Sequence, residues 1–396
     1  MLRALALSAL LLPSALAAQS FTYGTPNVPE FSPAFPEQTR APLTDSGMDL
    51  RVDVLATDLV RPWGVDQLPD GSLIVTERPG RLRHVAPDGT LSDPIAGLPE
   101  LVAQRQGGLL DVTLSPDFAS DRLVFLTYSK PMGSGRTTIA AARGRLSQDH
   151  RRLEDVRDIF VGGPASPSPM HYGSRVLFAP DGNVFVTTGE HSSRQERRFA
   201  QHVDKSHGKV IRVTPDGTVP PDNPSFDDPK ALPQLYTFGH RNVQGAAIRP
   251  GTSQLWTIEH GPRGGDELNL ITPGQNYGWP IVSYGENYNG ASIGNGISDH
   301  AGNGFAEPRY YWDPVIAPGG MTFYDGTLFD AWQGDLFIAA LAGRGIVRLR
   351  LQGDTIIEEE RLLRNLGRVR DVMVAQDGAL IAATDGDGTL VRITPR

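Results

Sequence analysis

The chain has 396 residues, with 45 acidic against 37 basic side chains, a formal charge of -8 at pH 7 and no cysteine. That balance argues against a nucleic-acid partner and against an anionic membrane surface. The lack of cysteine removes thiol nucleophiles, cysteine-ligated zinc or iron-sulfur clusters and covalently attached c-type haem, and a chain this long buries a large core without disulfides.

In chain order, the first stretch is MLRALALSALLLPSALAAQS: one arginine, an apolar run too short to cross a bilayer, and the small-residue pattern Ala15-Leu16-Ala17. These are the marks of a secretory signal peptide over residues 1–18. A Pro-rich leader over 19–45 reads as an extended tether, and 46–396 as the domain proper. No later apolar run reaches membrane-spanning length, so the mature chain is expected to be secreted to the periplasm without inserting into a membrane.

Six segments then pair an Asp-Gly or similar turn with a short β-rich run: LPDGSLIVTE at 68–77, SPDFASDRLVFLTYS at 115–129, APDGNVFVTTGE at 179–190, RPGTSQLWTIEHG at 249–261, WQGDLFIAAL at 332–341 and AQDGALIAAT at 375–384. Amphipathic helical periodicity is nearly absent. The pattern predicts an all-β fold, a six-bladed β-propeller with four-stranded antiparallel blades, in which neighbouring blades cover each other's faces. A β-sandwich or a set of smaller β domains is the competing arrangement. The last strand, GTLVRITPR, has no successor, and MDLRVDVLATDL at 48–59 is expected to complete its blade and close the ring.

The loops beside these strands carry the chemistry-bearing residues: QGGLLDV at 106–112, HYGSR at 171–175, TTGE ending at Glu190, GHRNVQG at 239–245, EHGPRGGDELNLITPGQNYGWP at 259–280 and GRVRDV at 367–372. On residue type alone, His171 suits a proton acceptor near neutral pH, with Glu190 one hairpin later as a carboxylate partner, and equally a histidine hydrogen-bonded in a loop. Arg241 and Asn242 suit a surface turn. Arg368 and Arg370, two apart on an extended segment, point to one side and suit either a carboxylate ligand or a solvated strand face. The 259–280 stretch is a Gly- and Pro-rich loop whose carbonyls are able to face a cation. DGDGTLVRITPR opens like an EF-hand, but Leu390 and Arg396 stand where glycine and glutamate are needed, so it reads as a hairpin turn.

Taken in this order, with HYGSR and TTGE counted together, the five loop motifs resemble those of the soluble quinoprotein sugar dehydrogenases, the PQQ-dependent glucose and aldose sugar dehydrogenases, from about residue 48 to the C-terminus. The resemblance implies an enzyme that oxidises the anomeric hydroxyl of an aldose to the lactone, with PQQ and calcium as cofactors. It implies His171 as general base with Glu190 as acidic partner, at a position where the family often has aspartate. Arg241 and Asn242 are implied to face the reacting quinone carbonyl, with Gln244 beside them and Gln106 at the substrate and quinone. Arg368 and Arg370 are implied to bind the PQQ carboxylates. Gly261 and Pro262 are implied to hold, through their carbonyls, the calcium that grips PQQ, and Glu267 and Tyr277 to hold a second, structural calcium. Ala342 stands where glucose-specific relatives have a cofactor-binding lysine, with Arg344 the nearby cation. No haem motif is present, so electrons are expected to leave to a separate cytochrome or quinone.

Two other classes fit such a propeller: a calcium-dependent lactonase with carboxylates around one central ion, and a non-catalytic binding domain. The aromatic residues Tyr284, Tyr288, Tyr310, Tyr311 and Trp312, in the long stretch 279–321, suit a sugar site or, for most of them, structural packing.

Overall fold

A computed structural model describes residues 21–396; the expected signal peptide lies outside the described residues except as sequence. The strands form six antiparallel sheets arranged as a six-bladed propeller. The innermost strands are Pro62–Gln67, Leu109–Leu114, Gly173–Phe178, Val243–Ile248, Pro318–Phe323 and Val369–Val374, and each touches the next around the ring, the last returning to the first. We number the blades 1 to 6 in that order. The six turn-plus-run segments of the sequence each supply the second strand of one blade, so a single sequence signal marks each blade once.

The second strands of blades 1, 3, 4, 5 and 6 are five residues long and wholly buried, which explains their continuous apolar character. Alternate side chains of one strand enter opposite interfaces. In Leu336–Ala340, Leu336, Ile338 and Ala340 pack toward blade 4, while Phe337 and Ala339 pack toward blade 6. The core is therefore six apolar wedges, one at each blade interface, rather than one central mass. Strand geometry sends successive side chains to opposite faces, and in a propeller both faces meet another blade.

Ring closure follows the sequence expectation: Leu50–Ala56 pairs antiparallel with Thr389–Pro395, from Leu50 with Pro395 to Ala56 with Leu390, with a register shift between Val54 and Ala56. Five sheets have four strands and that of blade 1 has three, its outer edge continued by a Val85–Leu91 bridge and by the Ser92 and Ile95 amides donating to the His84 and Leu82 carbonyls. The one α-helical turn among the described residues is Phe118–Asp121.

The leader is extended but is not a free tether. The amides of Asn27 and Val28 both donate to the Asp313 carboxylate at 2.9 Å. Gln38 is fully buried, and Leu43 bridges in parallel to Glu359 on the outer strand of blade 5. The Asp313 and Glu359 groups that hold it lie far along the chain, so nothing local in the leader reveals them.

Candidate active site

In an antiparallel hairpin, the start of the first strand and the end of the second lie at one end. Six blades therefore bring twelve such positions to one mouth of the central channel. Gln106, His171, Arg241, Asn242 and Arg368 precede innermost strands, Glu259 ends a second strand, and Glu190, His260 and Asp385 follow second strands. This topology, rather than any local signal, is what assembles residues separated by nearly the whole chain.

His171 has a left-handed backbone, φ 44°, and is buried. Its Nδ1 lies 3.2 Å from Glu190 Oε1, so the glutamate reaches the imidazole despite its extra methylene over aspartate. A carboxylate only accepts, so neutral His171 carries its proton on Nδ1 and leaves Nε2 basic. Burial, reinforced by the Arg241 charge and opposed by Glu190, holds the His171 pKa below its ordinary value. The imidazole is thus neutral at neutral pH. Glu190 is ionised: burial pushes its pKa up, but His171, Arg241 and the Ser192 amide together bring it below the usual carboxylate value. The His171 amide donates to Gln106 Oε1 at 2.7 Å, which fixes the backbone that aims the ring.

Beside this pair are two recesses, both lined by His260, although His171 and Glu190 belong to the walls of neither. The larger, of about 170 Å³, is walled by Gln106, Asn242, Gln244, Arg368, Arg370 and Arg78, among others. Asn242 Oδ1 accepts from the Gly173 amide at 3.0 Å, leaving its amino group to donate elsewhere. Gln244 Oε1 accepts from Arg370 at 3.0 Å, and its Nε2 donates to the Gly173 carbonyl at 2.9 Å. Burial, together with the charges of Arg175, Arg78 and Arg368, pushes Arg370 down to about 10. Trp63 forms part of the wall, with the Arg370 guanidinium 5.7 Å and that of Arg175 4.4 Å from its ring. Arg175 in turn is paired with Asp111 at 2.8 Å and Asp371 at 3.1 Å deeper in the channel.

The smaller recess, about 10 Å³, has room for one ion or water, and Gly261, Pro262, Glu267 and Tyr277 all line it together with Arg241 and Glu259. Gly261, Pro262, Glu267 and Tyr277, expected to serve two ions, all face this recess, where Glu259 and Glu267 are direct cross-strand partners. Asp266 shapes the intervening loop, accepting from the Gly261 amide at 2.8 Å and from the Ile316 and Ala317 amides at 2.8 and 2.7 Å. Glu267 is held well above the usual carboxylate pKa by burial and by Glu259, Glu307 and Asp266. Arg241 donates to the His260 carbonyl at 2.8 Å and lies 5.2 Å from the Trp279 ring, while its buried Nε has no partner among the described residues.

Arg78, Trp63 and His260 were not expected at the site from sequence, and Asp385 was read only as part of a hairpin turn. Arg78 and Asp385 follow second strands just as Glu190 does, so their blade position was the available signal. Arg344 does not reach the arginine cavity: Ala342 and Arg344 are exposed, and Leu341 is the wall residue on that loop. Arg78 supplies the third guanidinium instead. Of the aromatic stretch, Tyr284 stacks on Tyr311 at 4.0 Å, Tyr310 and Trp312 bond to Glu359, and Tyr288 is exposed on the surface. Trp279 is the one that lines a recess.

A propeller whose mouth joins a histidine-carboxylate pair to a cationic cavity and an oxygen-rich recess can be compared with known proteins. The family model for glucose/sorbosone dehydrogenases matches residues 59–392, and the chain belongs to that family. It is 39% identical over 350 residues to the aldose sugar dehydrogenase YliI of Escherichia coli K12, spanning 88% of this chain and 93% of that protein. A crystal structure of a glucose dehydrogenase superposes with a TM-score of 0.83 at 43% identity, over 86% of this chain and 99% of that one. The PQQ-bound form of an aldose sugar dehydrogenase from Streptomyces coelicolor gives 0.71 at 29% identity, over 88% and 99%.

Proposed function

We propose that the protein oxidises the anomeric hydroxyl of an aldose to the lactone, using calcium-bound PQQ, in the periplasm, and passes electrons to a separate cytochrome or quinone. The observation that carries this reading is the neutral His171, paired with Glu190, directly before Tyr172 and Gly173 in the wall of a cavity with three arginines. PQQ is a tricarboxylate, and the donor set suits it: Arg78, Arg368 and Arg370 crowd like charges that an anion would relieve. The carbonyls of Gly261 and Pro262, with the carboxylate of Glu267, suit a hard cation that favours oxygen ligands, while the Glu259 carboxylate is engaged by His240, Asn269 and the Arg241 amide. When bound, PQQ supplies a hydride acceptor, and calcium supplies Lewis-acid polarisation.

The chain's own part is binding, orientation and proton removal. His171 Nε2 takes the hydroxyl proton, and Glu190 stabilises the imidazolium that results. Gln106 fixes the His171 backbone. Arg241, with its unpartnered Nε, and Asn242, with its free amino group, supply donors where negative charge develops. The expected result is that apoprotein given calcium and PQQ reduces an artificial dye with aldoses, and that His171→Gln loses nearly all turnover while still binding PQQ. Wild-type protein that binds PQQ but transfers no electrons from any aldose would overturn the reading.

A further inference from the structure

At the end of the propeller opposite the mouth, three turns or strand ends of blades 1 and 2 meet. Asp70 lies in the turn between Pro62–Gln67 and Leu73–Glu77, His84 near the end of Arg81–Val85, and His150 in the turn between Thr137–Leu146 and Leu153–Val161. One ligand atom from each lies within 4.8 Å of the others. The two imidazole rings are 4.6 Å apart and tilted by 48°. His84 Nε2 is buried with no hydrogen-bond partner among the described residues. Asp70 Oδ1 receives the Ser72 amide at 3.0 Å and the Ser72 hydroxyl at 2.5 Å, which orients the carboxylate and leaves its second oxygen free. His84 and His150 open on a cavity of about 340 Å³.

We propose that Asp70, His84 and His150 form a binding site for a divalent transition ion, zinc in the first instance, that clamps blade 1 to blade 2. Two imidazoles and one carboxylate favour zinc over calcium or magnesium, which need more oxygen ligands. Three protein ligands leave the fourth tetrahedral position to water from the open cavity. With metal-ligand bonds of about 2.0–2.1 Å, ligand atoms stand roughly 3.4 Å apart, so atoms that lie within 4.8 Å of one another draw in by at most about 1.4 Å. Asp70 and His150 both sit on turns, where side-chain rotation supplies that movement. The nearby Arg122 does not compete for the ligands: its guanidinium is bonded to the Leu146 and Ser147 carbonyls, each at 2.7 Å. Burial keeps both histidines below their ordinary pKa, hence available as neutral ligands.

The test uses the full protein with its calcium supplied in excess, titrated with zinc chloride alone against a chromophoric competitor, and in parallel with cobalt(II). The expected result is one zinc equivalent bound at micromolar or tighter affinity, and intense visible cobalt bands of a low-coordinate site. Both His150→Ala and Asp70→Asn, each on a turn, weaken binding by about tenfold or more, while His202→Ala does not. The proposal fails if wild type and His150→Ala bind zinc equally, or if cobalt gives only the weak bands of a six-coordinate ion.

Discussion

Replacing Glu190 by glutamine keeps the size of the side chain and removes its charge. In the transition state, His171 becomes an imidazolium facing that carboxylate. Opposite unit charges about 3.2 Å apart at an effective dielectric near 20 attract by about 5 kcal/mol, an upper figure for what the carboxylate contributes. Glutamine also brings an amino group able to donate to Nδ1, which would move the neutral proton to Nε2 and block the base. A positioned general base is worth about 10²–10⁴-fold, the same range in rate. Glu190→Gln is therefore expected to lower kcat roughly a thousandfold, with KM for the sugar and affinity for PQQ changed far less. The assay is dye-linked turnover of protein reconstituted with calcium and PQQ, with circular dichroism as a control for folding. A folded variant that keeps kcat close to wild type would refute the reasoning, because it would show that the imidazolium is never formed beside residue 190.

Arg370→Gln removes a buried cation from the arginine cavity, and charge-assisted bonds of about 1.5–3 kcal/mol predict PQQ binding weaker by about 10–100-fold. Fluorescence quenching by PQQ in excess calcium measures this, and unchanged affinity would remove Arg370 from the cofactor site. His207 is buried between Phe199 and His191, and burial followed by the His191, Lys209 and Lys205 charges pushes it down to about 2. Its folded pKa is depressed below the unfolded value, so as pH falls below about 6.5 the unfolded chain takes up the proton first and the folded state loses stability. Between pH 6 and 5, about 1.4 kcal/mol per pH unit of that loss approaches its full slope, and His207→Phe should abolish this share. Urea unfolding of both proteins across that window checks it; parallel pH profiles would mean that His207 titrates in the folded state.

The residues that end the six second strands explain both the reach and the limit of the sequence. Asp-Gly turns followed by runs such as LIVTE and LIAAT carried the blade count, because turn chemistry and a strand buried on both faces are local demands that leave a local imprint. The pairing of His171 with Glu190 was legible for the same reason: one hairpin separates them, and antiparallel geometry returns the chain to the same end.

Arg78 and Asp385 had only their position after a second strand to mark them, and Trp63, within an innermost strand, only its residue type, until the ring closes around them. The docking of the leader had no local imprint either, because its Asn27 and Val28 amides find Asp313 through the fold, and Gly261, Pro262, Glu267 and Tyr277 line one recess only in the folded chain. Sequence alone determined the strand rhythm and the residue types at the loop ends. Only the closed ring decided which of those ends face one another, because charge, desolvation and cavity shape depend on distances between groups hundreds of residues apart.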